Sequence, residues 1–108
     1  MAGGSLSEAS WGRGLILVWL PEASLERFRQ LDYIAQDNPL AAADQDDEIE
    51  RQVDTLQVHP KLGRPGRVKG TRELVISRTS FIAAYRLKGQ RIEIIRFLHG
   101  AQRWPEEL

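Results

Sequence analysis

The side chains in this sequence with chemistry to offer are cationic, and they recur beside apolar runs. From Thr71 to Pro105 three such runs (Leu74 to Ile76, Phe81 to Leu87, Ile92 to Leu98) each have arginines in or next to them: Arg72, Arg78, Arg86, Arg91 and Arg96, followed by His99 and Arg103. Strands can be built from apolar and β-branched residues alone, so repeated guanidinium groups point to a sheet surface that faces an anionic partner. The stretch from His59 to Gly70 adds Lys61, Arg64, Arg67 and Lys69. These could hold phosphate, but the GxxxxGK[ST] spacing is absent and no helix follows to supply a dipole, so this is not a P-loop. A solvated connector between helices and sheet is the other reading of the same residues. His99 is an imidazole standing where a strand should end, which suits either an acid/base group or a hydrogen-bonded structural one. Tyr85 reads as core, with its hydroxyl at the rim.

The carboxylates offer less. Asp44, Asp46, Asp47, Glu48 and Glu50 crowd the middle of one predicted helix, but consecutive helical positions point in different directions and do not converge on an ion. No metal site is expected, and a solvated helix face accounts for the cluster. The chain has no cysteine, which removes disulfides and thiolate metal sites and fits a reducing cytoplasm. A net charge of zero hides a division. Pro21 to Val58 holds ten acidic residues against three basic ones, and His59 to Arg103 holds eleven basic residues against Glu73 and Glu93, so the two halves carry −7 and +9. That division describes a helical layer and a sheet layer of opposite sign, or a basic working face with an acidic back.

The elements that must position these residues can be read in order. Met1 to Gly14 has four glycines and three serines and is expected to be a flexible tail, ahead of one domain over residues 15–108. The run Leu15 to Leu20 (LILVWL) ends at Pro21, too short for a transmembrane helix and without the flanks of a secretory signal, so no membrane association is expected. It predicts a first strand, apolar on both faces and therefore interior to the sheet. Two antiparallel helices follow, near 22–37 and 40–58, with Leu25, Phe28, Leu31, Ile34, Ala42, Ile49, Val53 and Leu56 on the buried stripe. His59 to Gly70 is a loop by its prolines and glycines. A three-stranded antiparallel meander completes an α+β fold, with a hairpin at Lys88-Gly89-Gln90. Alternation in the last strand places Ile92, Ile94, Arg96 and Leu98 on one face and Glu93, Ile95, Phe97 and His99 on the other. Arg96, among apolar residues, is expected to pair with a carboxylate such as Glu22 or Glu26 of the helical layer or to cover apolar surface with its stem, and Trp104-Pro105 to close the C-terminal end of the core.

This order of elements resembles the ParE/RelE superfamily of toxins from bacterial type II toxin–antitoxin systems. The matching residues are Pro21-Glu22-Ala23, Tyr33-Ile34-Ala35 with Asn38-Pro39 and Ala41-Ala42, and His59-Pro60 with Gly63-Arg64-Pro65-Gly66. They continue through Gly70 to Leu74, Tyr85-Arg86, Ile92 to His99, Gln102 and Trp104-Pro105. The resemblance implies a twisted, mainly antiparallel sheet packed on the helical hairpin. It also implies a partner, a small antitoxin whose disordered C-terminal segment folds across the toxin.

Related folds host different activities. ParE-type members poison DNA gyrase; RelE-type members enter the ribosomal A site and cut messenger RNA. Such an RNase needs a base, an acid and cations for the phosphorane charge, roles for which Glu73, Arg86, Arg96 and His99 stand nearest, with Tyr85 beside them. The lysine-rich set of RelE has no match here and no tyrosine follows the last strand, whereas Tyr85-Arg86 and Ile94 to His99 look closest to ParE. The resemblance therefore favours a gyrase poison with no catalytic residues and no cofactor. It would meet its target through Arg64, Arg67, Lys69, Arg72, Arg78, Arg86, Arg96 and His99. The alternatives are a ribosome-dependent mRNA endoribonuclease and a harmless member that keeps antitoxin binding alone.

Overall fold

Two prolines and one asparagine set the helical hairpin. The computed structural model describes residues 14–105, and the expected N-terminal tail, apart from Gly14, lies outside them. Pro21 opens α1 (Pro21–Asp37) where its missing N–H has no helical partner to lose, with Glu22 in the first turn. Asn38 ends α1 with its backbone N–H on the Ile34 carbonyl. It also starts α2 (Pro39–Asp54), its side chain accepting from the Ala41 N–H at 3.0 Å. A 3₁₀ turn, Thr55–Gln57, extends α2 and buries Leu56.

Five strands follow the sequence pattern only in part. They are β1 (Ile16–Trp19), β2 (Arg64–Pro65), β3 (Arg72–Val75), β4 (Phe81–Lys88) and β5 (Arg91–His99), in the spatial order β1-β5-β4-β3-β2. The meander β3–β4–β5 is antiparallel, and Gly89 takes φ 61° in the tight turn between Lys88 and Arg91. The basic loop is not wholly irregular: Arg64 and Pro65 pair with Glu73 and Arg72. Proline is tolerated there because β2 is an edge.

The expectation that β1 is interior fails, since it lies at the other edge, parallel to β5 from Ile16↔Arg91 to Trp19↔Ile94. Its two apolar faces have separate destinations. Leu17 and Trp19 pack on the core, while Ile16 on the opposite face is 57% exposed.

The core lies between the hairpin and one face of the sheet. Ala23, Ile49, Val53 and Leu56 meet Leu74, Ile76, Phe81, Ala83, Tyr85, Ile92, Ile94 and Phe97, with Leu31 and Ile34 packed against them. Two expectations are corrected here. Leu25 and Phe28 are exposed, Phe28 at 64%, because partly buried Glu26 and Arg27 take the inward positions of α1 and satisfy them with ion pairs. Apolar periodicity is blind to such positions. Strict alternation in β5 also breaks: the register passes from Ala84↔Arg96 to Tyr85↔Ile94, leaving Ile95 as an extra residue. Phe97, rather than Arg96 or Leu98, thus follows Ile92 and Ile94 into the core cluster.

Candidate functional site

The register fixes which side chains share a face. Leu74, Tyr85 and Ile92 point to the helices, so the residues alternating with them lie on the face away from the helices: Glu73, Arg86, Lys88, Arg91 and Glu93. Arg64, opposite Glu73, joins them from β2, and Ile16 and Val18, opposite Arg91 and Glu93, border the group from β1.

Two buried carboxylates organise this face. Glu73, 3% exposed, accepts from the Arg64 guanidinium at 2.9 Å and from the Arg67 backbone N–H and Nε at 3.0 Å each. Burial alone would raise its carboxyl, but those three donors outweigh it and hold the group below the usual carboxylate range. Glu93, 4% exposed, accepts from Arg86 Nε at 2.8 Å and pairs with Arg91 Nη2 at 2.9 Å. Here the Arg86 hydrogen bond is the main cause of a lowered carboxyl, burial opposes it, and the charges of Arg86, Arg91 and Lys88 add to it. Arg67 also lies 4.0 Å over the Trp104 ring, so the C-terminal Trp104 seats on this basic loop.

The loop is pinned from the core side as well. The buried Tyr85 hydroxyl donates to the Pro60 carbonyl at 2.8 Å and accepts from the Gly63 N–H at 2.9 Å. A Cβ on Gly63 would lie 2.6 Å from the Tyr85 ring, so only glycine allows this approach. Burial pushes the Tyr85 hydroxyl up, away from any acid role at neutral pH. Arg72 is spent in the same place, donating to the Gly63 carbonyl at 2.5 Å and to that of Lys61 at 3.3 Å.

The other sequence-predicted residues stand elsewhere. Arg96 pairs with Glu26 at 2.6 Å and lies 3.7 Å from Glu22, the helical partners expected for it. Glu26 also accepts from the Phe97 N–H at 2.8 Å, closing the edge of β5 beyond the point where β1 turns into α1. His99 Nδ1 accepts from the Ala101 N–H at 3.1 Å, and its ring stands edge-on to Phe81. Arg78, at φ 67° in the β3–β4 turn, is 78% exposed and 3.6 Å from Glu48, and Lys69 is exposed in the loop. Along β4, Phe81 faces His99 and Arg86 faces Glu93, so His99 and Arg86 are about 16 Å apart at 3.3 Å per residue. Glu73, Arg86, Arg96 and His99 are therefore not brought together around one point. Sequence reasoning left Lys88 and Arg91 out of the site and gave Glu93 no part in it. Counting by twos groups Lys88 with Arg86 and Glu93 with Arg91, and the Gly89 turn, which sets Lys88 opposite Arg91, puts both pairs on one face.

A second surface lies on the hairpin. Trp19, Phe28, Leu31, Ala35, Ala42 and Ala43 line an open groove of about 590 Å³, with Arg27, Asp32 and Asp46 at its walls. Arg27 stacks 4.7 Å from the Trp19 ring and ties the two helices together through Asp46 at 2.6 Å and Glu50 at 3.0 Å.

Known proteins are similar to this chain in sequence and in fold. The family described as ParE toxin of type II toxin-antitoxin system, parDE, matches residues 17–104. A relative from Sinorhizobium fredii (strain NBRC 101917 / NGR234), named "Putative toxin Y4kP", is 42% identical, covering 79% of this chain and 92% of its own length. A solved structure titled "Chromosomal ParDE TA system from P. aeruginosa" superposes with a TM-score of 0.74 at 30% identity, covering 81% of this chain and 97% of that one. With helical hairpin, basic loop, meander and all of β1 but Ile16 inside the matched span, the chain belongs to the ParE toxin family of type II toxin–antitoxin systems.

Proposed function

We propose that this toxin acts by binding DNA gyrase and poisoning it, and that a cognate antitoxin neutralises it. The observation that carries the reading is the contrast between the two sets of candidate residues. Arg64, Arg67, Arg86 and Arg91 are held in place by buried Glu73 and Glu93 with their outer edges in solvent, as a binding surface requires. The acid/base candidates are dispersed along the sheet and engaged: Glu73 with two arginines, Arg96 with Glu26, His99 with its own turn. General acid–base catalysis needs its groups within hydrogen-bond reach of one reacting centre. On this reading Arg64, Arg67, Lys69, Arg78 and Arg86 meet the target, while Arg72, Arg96 and His99 position the chain.

The test is gyrase supercoiling with cleavage-complex trapping, run beside ribosome-dependent messenger cleavage on one preparation. Inhibition of gyrase is expected, with His99→Ala within a few fold of wild type. Loss of an acid/base group would instead cost about 10² to 10⁴ in rate. Messenger cleavage that His99→Ala abolishes, with gyrase untouched, would replace this reading with the endoribonuclease.

The antitoxin is proposed to occupy the groove on the hairpin. Phe28 in its wall is 64% exposed, and Leu25 and Leu40 on the same two helices are exposed as well, which leaves apolar surface suited to an amphipathic segment that folds on binding.

A further inference from the structure

We infer that the sheet face away from the helices docks on the phosphate backbone of duplex DNA without reading its bases. The inference deepens the gyrase reading, on which it rests for its setting: the DNA that gyrase holds becomes a direct contact of the toxin.

Arg64, Arg67, Arg86, Lys88 and Arg91 stand on this face against Glu73 and Glu93, a net charge of +3. The balance seen from solvent is more one-sided than that count. The two carboxylate side chains are 3% and 5% exposed, whereas the four arginines are 42% to 52% exposed. An approaching surface therefore meets cations alone. One guanidinium would neutralise each carboxylate, and each has two, so a positive charge is left over at both positions. A guanidinium carries five N–H donors, and Glu93 takes only Nε of Arg86 within hydrogen-bond distance, leaving the rest of that fork for an anion. The carboxylates also order the arginine stems beforehand, which lowers the entropic cost of binding.

The chemistry of the face selects among anions. Strands β1 to β5 contain no asparagine or glutamine to pair with adenine edges, and a five-stranded sheet is broader than the two-stranded ribbon that the major groove admits, so its arginines meet phosphates rather than guanine edges. Single-stranded RNA is held on aromatic platforms, and the one tryptophan at this face among the described residues, Trp104, is already covered by Arg67. What remains is backbone contact. The helical layer, at −7 over Pro21 to Val58, repels the same polyanion and so orients the molecule sheet-first.

The test uses the full chain and a labelled random-sequence duplex of about 20 bp, titrated by fluorescence anisotropy from about 25 to 200 mM salt. Binding is expected to weaken with salt, log K against log salt falling with a slope of about −0.9 for each phosphate neutralised. Replacing Lys88→Ala together with Arg91→Gln should make that slope shallower by about 2 and weaken binding at least about tenfold at low salt. The melting temperature should hold, because Arg86 still occupies Glu93. Arg51→Gln, on the exposed side of α2, should leave binding unchanged. No duplex binding at the lowest salt, wild-type binding by the double variant, or tighter binding of a single-stranded RNA of equal length would each overturn the inference. Gyrase inhibition by a protein that binds no duplex overturns it and leaves the gyrase reading standing. Duplex binding that the double variant loses, without gyrase inhibition by wild type, supports it and removes that reading.

Discussion

At the scale of single residues, the ionisation of Glu73 and Glu93 gives the fold a defined response to acid. Both carboxyls are lowered on folding, Glu73 by three donors that outweigh its burial and Glu93 chiefly by Arg86. A group lowered in this way contributes stability above its unfolded pKa, and the contribution is lost as pH falls through the lower folded value. Stability from these two residues should thus be level from neutral pH to about pH 5 and decline below it. Glu73→Gln, which cannot ionise, should be less stable at neutral pH and decline less steeply in acid, as urea melts across that range would show. Phe28 and Phe97 make the opposite kind of pair: same side chain, different surroundings. Phe97 is fully buried and its truncation to alanine should cost about 3–5 kcal/mol, whereas Phe28→Ala should cost under about 1 kcal/mol. Equal losses in denaturant unfolding would show that α1 is rotated from the position described.

At the scale of elements, Glu26 is the closest polar tie between α1 and the far half of β5. It holds Arg96 and the Phe97 N–H together, so Glu26→Ala leaves a mostly buried guanidinium with only Glu22, 3.7 Å away, and an edge N–H without its acceptor, and should cost about 2–4 kcal/mol. Glu26→Gln, which keeps one acceptor, should recover part of that loss in the same melts. The pair was legible in the sequence because a lone arginine among apolar strand residues needs a carboxylate, and the helix beside it offered Glu22 and Glu26. The start of each helix and the end of α1 were legible too, since Pro21 and Asn38-Pro39 act locally, whereas α2 stops at Asp54, short of the expected 58, and passes into a 3₁₀ turn. What escaped depends on contacts between distant segments. The extra residue at Ile95, the pairing of Arg64-Pro65 with β3 and the edge position of β1 are all settled by the register of one strand on another. The basic residues of the site other than Lys88 and Arg91 were found by type, but the grouping of β2, β4 and β5 residues onto one face required that register.

At the scale of the whole molecule, acid and base are sorted onto opposite sides, and the groove on the hairpin is remote in character from the cationic face. Saturating antitoxin should raise the melting temperature of the toxin by an amount that grows with its free concentration above Kd. Phe28→Asp should weaken that effect while leaving the free toxin's melting temperature nearly unchanged, because the side chain is largely in solvent. An unchanged antitoxin effect in this variant would move the docking surface off the groove. The parallel pairing of β1 with β5 has a further consequence, in time rather than in space. Residue 16 finds its partner at residue 91, and Ile92, Ile94 and Phe97 complete the core only when β5 is present. A nascent chain that has not yet released its last strand from the ribosome has a helical hairpin with no completed sheet to sit on. The long loop between first and last strand must close before that contact rewards it, which slows the final step. A toxin built this way is expected to stay inert until its last strand emerges, which sets the time by which an antitoxin must be waiting.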